Sequence, residues 1–283
     1  MDLSCIIVNY QNNKSLKDCL DSIYQTIEEI DFEVIIIDNS EKGPILQSLK
    51  EIYPKVQIIY NPTNVGFSKA NNQAAKIARG EFLFILNPDT ILKEQAGNTM
   101  FRYIRSNMEI GALGPKVVNF DGSLQYSCRR YPNLWTGLFN RYSIFSRLLP
   151  KNRFTNRYLM LDFDHNETLS VDWLSGCCLM IPKSVFEEVN GFDENYFLFN
   201  EDVDLCRMVH QTGKKVIYFP EAKIIHKVST SNRKTTAKVI IQRHLGMMYY
   251  FKKHHSKNFL IRGIVNFFIS SRGILQLFIN LVK

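Results

Sequence analysis

Residues 34–40 read VIIIDNS, four consecutive β-branched apolar residues that stop at Asp38, Asn39 and Ser40. A run without alternation is what a strand covered on both faces looks like, and covered faces are the habit of parallel sheets. The pattern recurs on either side: SCIIVNY at 4–10, QIIY at 57–60, and FLFIL at 82–86, which ends on Asn87-Pro88-Asp89. Between these runs the spacing turns helical. Leu16, Cys19, Leu20, Ile23, Tyr24 and Ile27 follow Asn13 as candidate cap, Pro44 opens a short helix, and residues 68–78 run to Gly80. Such alternation predicts βαβ units and an α/β, doubly wound, mostly parallel sheet. Ligands of these sheets bind beyond the carboxyl ends of the strands, where Asp38, the turn Asn64-Val65-Gly66-Phe67 and Asp89 fall. Neither GxGxxG nor GxxxxGK[ST] is present, which removes the dinucleotide fingerprint and the P-loop.

Beyond residue 111 the pattern continues with a strand at 112–118, a hairpin turn at Asp121-Gly122 and the segment Leu124-Gln125-Tyr126. Residues 132–170 hold no period and predict an irregular insertion, a lid over a site. Order returns with a strand through Ile181, a helix over 183–189, a helix reaching about residue 212, a strand at 215–219 and then His226 in a basic loop. At 283 residues the chain suffices for one large domain, or one domain with appendages. Its first residues lack a basic segment and a long apolar run, so no secretory signal is expected. Six cysteines without CxxC or zinc spacing are expected as buried thiols of a reducing cytosol.

Residues 191–207, GFDENYFLFNEDVDLCR, carry the chemistry. Asp193, Glu194, Glu201, Asp202 and Asp204 alternate with Phe192, Tyr196, Phe197 and Phe199. Asn200 is placed to cap a helix whose acidic first turn suits the positive helix end. The same residues also read as a carboxylate beside apolar walls, where desolvation raises its proton affinity and makes it a general base.

The charge is divided unevenly. Lys and Arg number 35 against 27 Asp and Glu, a net +8, yet no acidic residue follows Glu221. Basic residues, by contrast, recur from Lys223 to Lys283, so a mildly acidic body carries a strongly basic tail, drawn to nucleic acid or a membrane surface. From Arg262 the polar positions Asn266, Ser270, Gly273, Gln276 and Asn280 trace one stripe among aliphatic and phenylalanine side chains. A helix docked on the core, a membrane span and an interfacial amphipathic helix share that pattern. The interfacial helix fits it best, with Lys252, Lys253 and Lys257 attracted to anionic lipid. The long apolar face argues against a nucleic-acid partner.

Taken in order, IIVNY (6–10), IIIDNS (35–40), NVGFSKANN (64–72), FLFILNPD (82–89), VDWLSGCCLMI (171–181), GFDENYFLFNEDVDLCR (191–207) and the late His226 resemble the family 2 glycosyltransferases of GT-A fold, in their rhamnosyltransferase-like branch. The resemblance implies a catalytic domain over 1–230, with a nucleotide-binding half (1–118) and an acceptor half (119–230), and a separate basic tail over 231–283. It implies an inverting transferase that moves a sugar, rhamnose from dTDP-rhamnose or another dTDP or UDP sugar, onto a hydroxyl of a growing lipid-linked glycan. It also implies a peripheral place on the inner face of the plasma membrane. Asp38 would bind the nucleobase imide, with Asn9, Tyr10, Asn64, Gly66 and Asn72 completing the nucleoside pocket. Asp89 matches the metal-binding DxD carboxylate, although Asn87 stands where the family's first Asp would be. Asp89 and His226 would hold Mg²⁺ or Mn²⁺ on the diphosphate, aided by Lys227, Arg233 and Lys234. Asp202 would be the base, with Glu201 orienting it, and Trp173, Phe197 and Asp204 on the acceptor and sugar side. A non-catalytic nucleotide-sugar-binding subunit is the alternative the same residues allow.

Overall fold

The computed structural model describes residues 1–40, 49–133, 136, 152–227, 236–255 and 258–282. The four apolar runs form β1 (Leu3–Asn9), β2 (Phe32–Asp38), β3 (Val56–Tyr60) and β4 (Phe82–Leu86), joined by α1 (Asn13–Thr26), α2 (Leu49–Ile52) and α3 (Phe67–Ile77). They pair in parallel in the order β3-β2-β1-β4. Every residue of β1, β2 and β4 is buried, as their unbroken apolar composition requires. The cap of α1 falls at Asn12, and Asn13 accepts a bond from the side chain of Asn9 instead. The helix expected at Pro44 lies outside the described residues.

The second half adds β5 (Thr90–Leu92), α4 (Ala96–Arg105), β6 (Ile110–Val118), β7 (Leu124–Gln125) and β8 (Cys128–Arg129). It continues with α5 (Arg153–Leu159), β9 (Leu169–Ser170), β10 (Trp173–Leu174), β11 (Cys178–Pro182), α6 (Lys183–Glu188), α7 (Glu201–Gln211) and β12 (Lys215–His226). β11 enters antiparallel beside β4 and carries the sheet on through β6, β12 and β5. The antiparallel entry matters, because it sets the start of β11 at Cys178 next to the end of β4 at Leu86. Two apolar layers cover the sheet's faces, one built on α1 and α4, the other on α3, α6 and α7. Within the expected insertion over 132–170, the described residues from 152 on include regular elements. Asn152 caps α5 by accepting from the Thr155 amide at 2.8 Å, and β9 joins the sheet beside β12.

The tail resolves into two helices of different character, α8 (Ala237–His254) and α9 (Phe259–Val282). α8 belongs to the body. Tyr250 and Phe251 are buried, and Gly246 presses against the turn before α7, where a Cβ would stand 2.7 Å from the Phe199 carbonyl oxygen. α9 lies against α8 through Ile269 and Gly273, and leaves Phe259, Ile264, Phe267, Ile274, Phe278 and Leu281 exposed. Its 23 residues Phe259–Leu281 are long and apolar enough, by length and composition, to cross a membrane.

Candidate active site

At the ends of the parallel strands, Asn9 and Asp38 face each other in register. Asp38 is buried, and its Oδ1 accepts from Asn9 Nδ2 at 3.0 Å and from the Ser40 amide at 3.1 Å. An amide network supports the next loop: Asn61 donates to Asn39 (2.8 Å), and Asn39 to Asn64 Oδ1 and the Gly66 carbonyl (3.3 Å each). Gly66 has φ +90°, and a Cβ there would meet Phe197 O at 2.7 Å, so only glycine closes this turn without strain. Four buried polar atoms without a protein partner border this region: Asn9 Oδ1, Tyr60 Oη, Ser68 Oγ and Asn71 Oδ1. Buried polar atoms are nearly always bonded, so a set of orphans around strand ends points to a polar ligand. Tyr60, Ser68 and Asn71 were not singled out by sequence, since nothing in their spacing distinguishes a ligand contact from helix or strand filling.

Of the other two expected nucleoside residues, one is engaged elsewhere. Asn72 donates to Phe192 O (2.8 Å) and Glu194 (3.1 Å) and accepts from the Phe192 amide (3.0 Å), so its amide is spent fastening α3 to the 191–195 segment. Tyr10 is 45% exposed at the end of β1.

The β12–β5 pairing sets His226 opposite Thr90 and thus beside Asp89. His226 Nε2 lies 3.2 Å from Asp89 Oδ1, and Nδ1 lies 3.1 Å from Gln125 Oε1. Gln125 Nε2 donates to His226 O and Asn119 Oδ1, which fixes its amide orientation. Nδ1 therefore donates to Gln125, and Nε2 faces both the Asn87 side-chain amide at 3.4 Å and the Asp89 carboxylate. Two acceptors at that distance need a proton or a cation between them, so the pair fits a divalent ion completed by diphosphate oxygens. Among the described residues no group of three or more His, Cys, Asp or Glu side chains could hold a metal. Gln125 was missed as the residue that orients the histidine. Lys227 Nζ pairs with Asp18 at 2.6 Å, its amide donates to the Asp89 carbonyl, and Arg233 and Lys234 lie outside the described residues.

Opposite this pair stands the first turn of α7. Phe199 and Asn200 are both left-handed (φ +70° and +71°), a costly pair that aims Glu201 and Asp202. Asn200 occupies the cap position but makes no side-chain cap bond, contrary to its sequence signature. Asp202 fills part of that role, its Oδ1 accepting from the Val203 amide (2.9 Å) and Oδ2 from the Gly176 amide (3.0 Å). Burial pushes the proton affinity of Asp202 up, against the pull of those amides and of Arg129. Glu201 is buried with Oε2 unpartnered, and burial, then the charge of Asp202, drives it well above the carboxylate range. Glu201 is thus the neutral member of the pair and Asp202 the one able to ionise.

Gly176 and Cys177 connect the two halves of the site. Gly176 N–H holds Asp202, while the Cys177 carbonyl accepts from the Asn87 amide and the Thr90 hydroxyl, both at 3.0 Å, on either side of Asp89. One dipeptide therefore brings Asp89 and Asp202 to a common place. Trp173 does not offer a sugar-binding face. It is buried, donates Nε1–H to Arg130 O at 2.8 Å, and backs the Arg129 guanidinium 4.9 Å from its ring. Asp204 is 2% exposed and is held by Lys253 (2.9 Å) and His254, which leaves it no room for an acceptor. Phe197 sits half-buried where the Gly66 turn meets α8, with Lys238 Nζ 5.3 Å from its ring.

Residues 4–189 match the model of glycosyl transferase family 2. An N-acetylglucosaminyl-diphospho-decaprenol L-rhamnosyltransferase of Mycobacterium tuberculosis is 28% identical over 265 residues, covering 90% of this chain and 85% of that protein. The rhamnosyltransferase WbbL of Escherichia coli K12 is 27% identical, covering 81% and 84%. In fold, the structure of GalNAc-T7 with UDP, GalNAc and Mn²⁺ superposes with a TM-score of 0.65 at 15% identity. It covers 95% of this chain, which spans about half, 54%, of that protein.

Proposed function

The chain belongs to glycosyl transferase family 2, as a nucleotide-sugar-dependent glycosyltransferase of GT-A fold, and from that premise we propose that it moves rhamnose from dTDP-rhamnose onto a hydroxyl of a lipid-linked glycan with inversion. Support for the sugar and the lipid comes from the two rhamnosyltransferase relatives, one of which acts on a diphospho-decaprenol acceptor by name.

Asp38 accepts the imide N–H of the base, while Asn9, Tyr60, Ser68 and Asn71 supply the polar lining of the nucleoside pocket. Asp89 and His226 would hold Mg²⁺ or Mn²⁺, which neutralises charge developing on the departing diphosphate. Asp202 takes the proton from the acceptor hydroxyl as that oxygen attacks the anomeric carbon from the opposite side. Burial keeps its proton affinity raised for the task, against the pull of the Gly176 and Val203 amides and of Arg129. The observation that carries this assignment is the Gly176–Cys177 link between the carboxylate of α7 and the turn holding Asp89. Titration calorimetry of dTDP- and UDP-sugars, with and without Mn²⁺, tests it. Binding of dTDP-rhamnose strengthened by Mn²⁺ in the wild type and lost in Asp89→Ala is the expected result, and metal-independent binding would refute it.

The exposed apolar face of α9 lies in the membrane interface on the cytoplasmic side. α9 packs along α8, which is itself docked on the catalytic body, so it lies on the body's surface rather than standing free to span a bilayer. The exposed lysines of α8, Lys238 and Lys252, complement anionic headgroups. Removing residues 258–283 should release the enzyme from anionic vesicles in a flotation assay, and retention would refute the attachment.

A further inference from the structure

The short strand pair β8–β10 brings a cation toward the base. Arg129 stands opposite Trp173 in that antiparallel pair, and the ladder continues past it, with the Ser175 amide donating to the Ser127 carbonyl at 2.7 Å. One residue further along stand Tyr126 on one chain and Gly176 on the other. The Gly176 amide holds Asp202 Oδ2 at 3.0 Å, and the Tyr126 carbonyl accepts from Arg129 Nε at 2.9 Å. The arginine side chain therefore turns back along its own strand, toward the ladder step that carries the base.

Directly opposed residues of an antiparallel pair share a face. The Arg129 guanidinium accordingly lies 4.9 Å from the Trp173 ring centroid, and 5.9 Å from that of Tyr158 on α5. Trp173 is pinned by its bond to Arg130 O, and the Arg130 amide donates to the Tyr158 carbonyl at 3.1 Å, which ties α5 to β8. The adjacent arginine supplies a contrast. Arg130 pairs with Asp172 at 3.2 Å, whereas among the described residues no carboxylate forms an ion pair with Arg129.

The titratable groups around Asp202 carry little charge of their own. Burial raises the proton affinity of Glu201, of the Tyr158 hydroxyl and of the Cys177 and Cys206 thiols, so each keeps its proton. On α7 Asp204 is met by Lys253 and His254, and across the Gly176–Cys177 dipeptide Asp89 faces His226. Arg272 of α9 acts on the Tyr158 hydroxyl as well. Arg129, a guanidinium, stays charged at every working pH. Burial drives the proton affinity of Asp202 up, and the Gly176 and Val203 amides and then Arg129 draw it back. A cation in contact would hold the carboxylate too low and cover the oxygen that must take a proton, as Lys253 does at Asp193. One held beyond contact favours ionisation and leaves that oxygen open.

We propose that Arg129 is a positioning residue for the transfer step: its charge, seated on Trp173 and Tyr158 one ladder step from Gly176, keeps Asp202 ionised and ready to accept the hydroxyl proton. This rests on Asp202 as the base. It also gives α5 a part in the chemistry, since Tyr158 closes the seat of the guanidinium.

The test uses the full chain carrying Glu201→Gln, which leaves one titrating carboxyl in the pair. Infrared difference spectra against the same chain with Asp202→Asn follow the protonated carboxyl band of Asp202 through a pH series. Arg129→Gln should raise its midpoint by about one pH unit, a tenfold gain in proton affinity, and Arg129→Lys should return most of that shift. The acid limb of Mn²⁺-dependent dTDP release from dTDP-rhamnose, with water as acceptor, should move by the same amount, while the rate at high pH stays within about threefold of the parent. Arg129→Met keeps the stem on Trp173 without the charge and gives the same reading if the Gln variant does not fold. An unmoved midpoint overturns the proposal and leaves Asp202 as base. A rate loss of equal size at every pH also overturns it, because a purely structural role shifts no acid limb. Normal dTDP release by Asp202→Asn would remove the base assignment, and the proposal with it.

Discussion

Two pairs of carboxylates within residues 191–207 have opposite fates. Asp193 and Asp204 are met by cations: Lys253 bridges both, at 2.7 and 2.9 Å, and His254 adds to Asp204. Glu201 and Asp202 lie between them in sequence; among the described residues Asp202 accepts from the Gly176 and Val203 amides, and Glu201 keeps Oε2 unpartnered. The first pair fastens α8 to the catalytic body. The second is left with raised proton affinity in the cleft. Acidity of composition is the same in both; what separates structure from chemistry is whether a lysine arrives.

The comparison breaks most easily at Asp202. Asp202→Asn should lower turnover by about a thousandfold while leaving dTDP binding and thermal stability near wild type, measured by transfer assay and calorimetry. Near-normal turnover would end its role as base. At Asp204 the expected loss is of stability. Asp204→Asn takes the carboxylate from His254 and leaves Lys253 with Asp193 alone, and should cost about 3 kcal/mol in urea unfolding, with activity per folded molecule retained. Selective loss of turnover in a fully stable variant would return Asp204 to the acceptor site. Glu201→Gln removes only a group that is already neutral, so turnover should fall by less than about tenfold and stability at pH 8 should match or exceed wild type. The smallest effect is a difference in pH dependence. Asp193 is held down to about 2, with burial opposed by bonds from Lys253, Asn195 and Tyr249, below its ordinary 3.8. Its stabilisation is therefore complete above pH about 4 and is lost as the pH falls toward 2. Glu201 and Asp202 are shifted upward, so their contribution is present at low pH and lost as the pH rises through their raised values. Activity should follow the reverse course, rising with pH as Asp202 ionises. Thermal unfolding of Asp193→Asn and a pH–rate profile of the wild type separate the two.

Much of the fold was legible because β1, β2 and β4 are buried on both faces and leave continuous apolar runs. The short strands β5, β8 and β10 were not, since two or three residues carry no period and β8 and β10 pair with each other. The proposed site residues Asp38, Asp89, His226 and the Glu201–Asp202 pair could be picked out because strand ends and an acidic helix start are local signals. Asn72 and Asp204 carry the same kinds of signal. What redirects them is the set of partners supplied from 120 residues away (Phe192) and from α8, information that no local pattern holds. Gln125 was hidden for the same reason, acquiring meaning only from the histidine folded against it.

Gly176 and Cys177 are consecutive residues, so their α-carbons are held about 3.8 Å apart by covalent geometry. The span between the proton acceptor and the phosphate-binding turn is thereby gauged by a rigid bond path at a strand end, like the fixed jaw of a calliper. The two contacts thus sit on adjoining peptide units, so a shift of this strand end moves the hydrogen-bonding partners of Asp202 and of the Asp89 turn together.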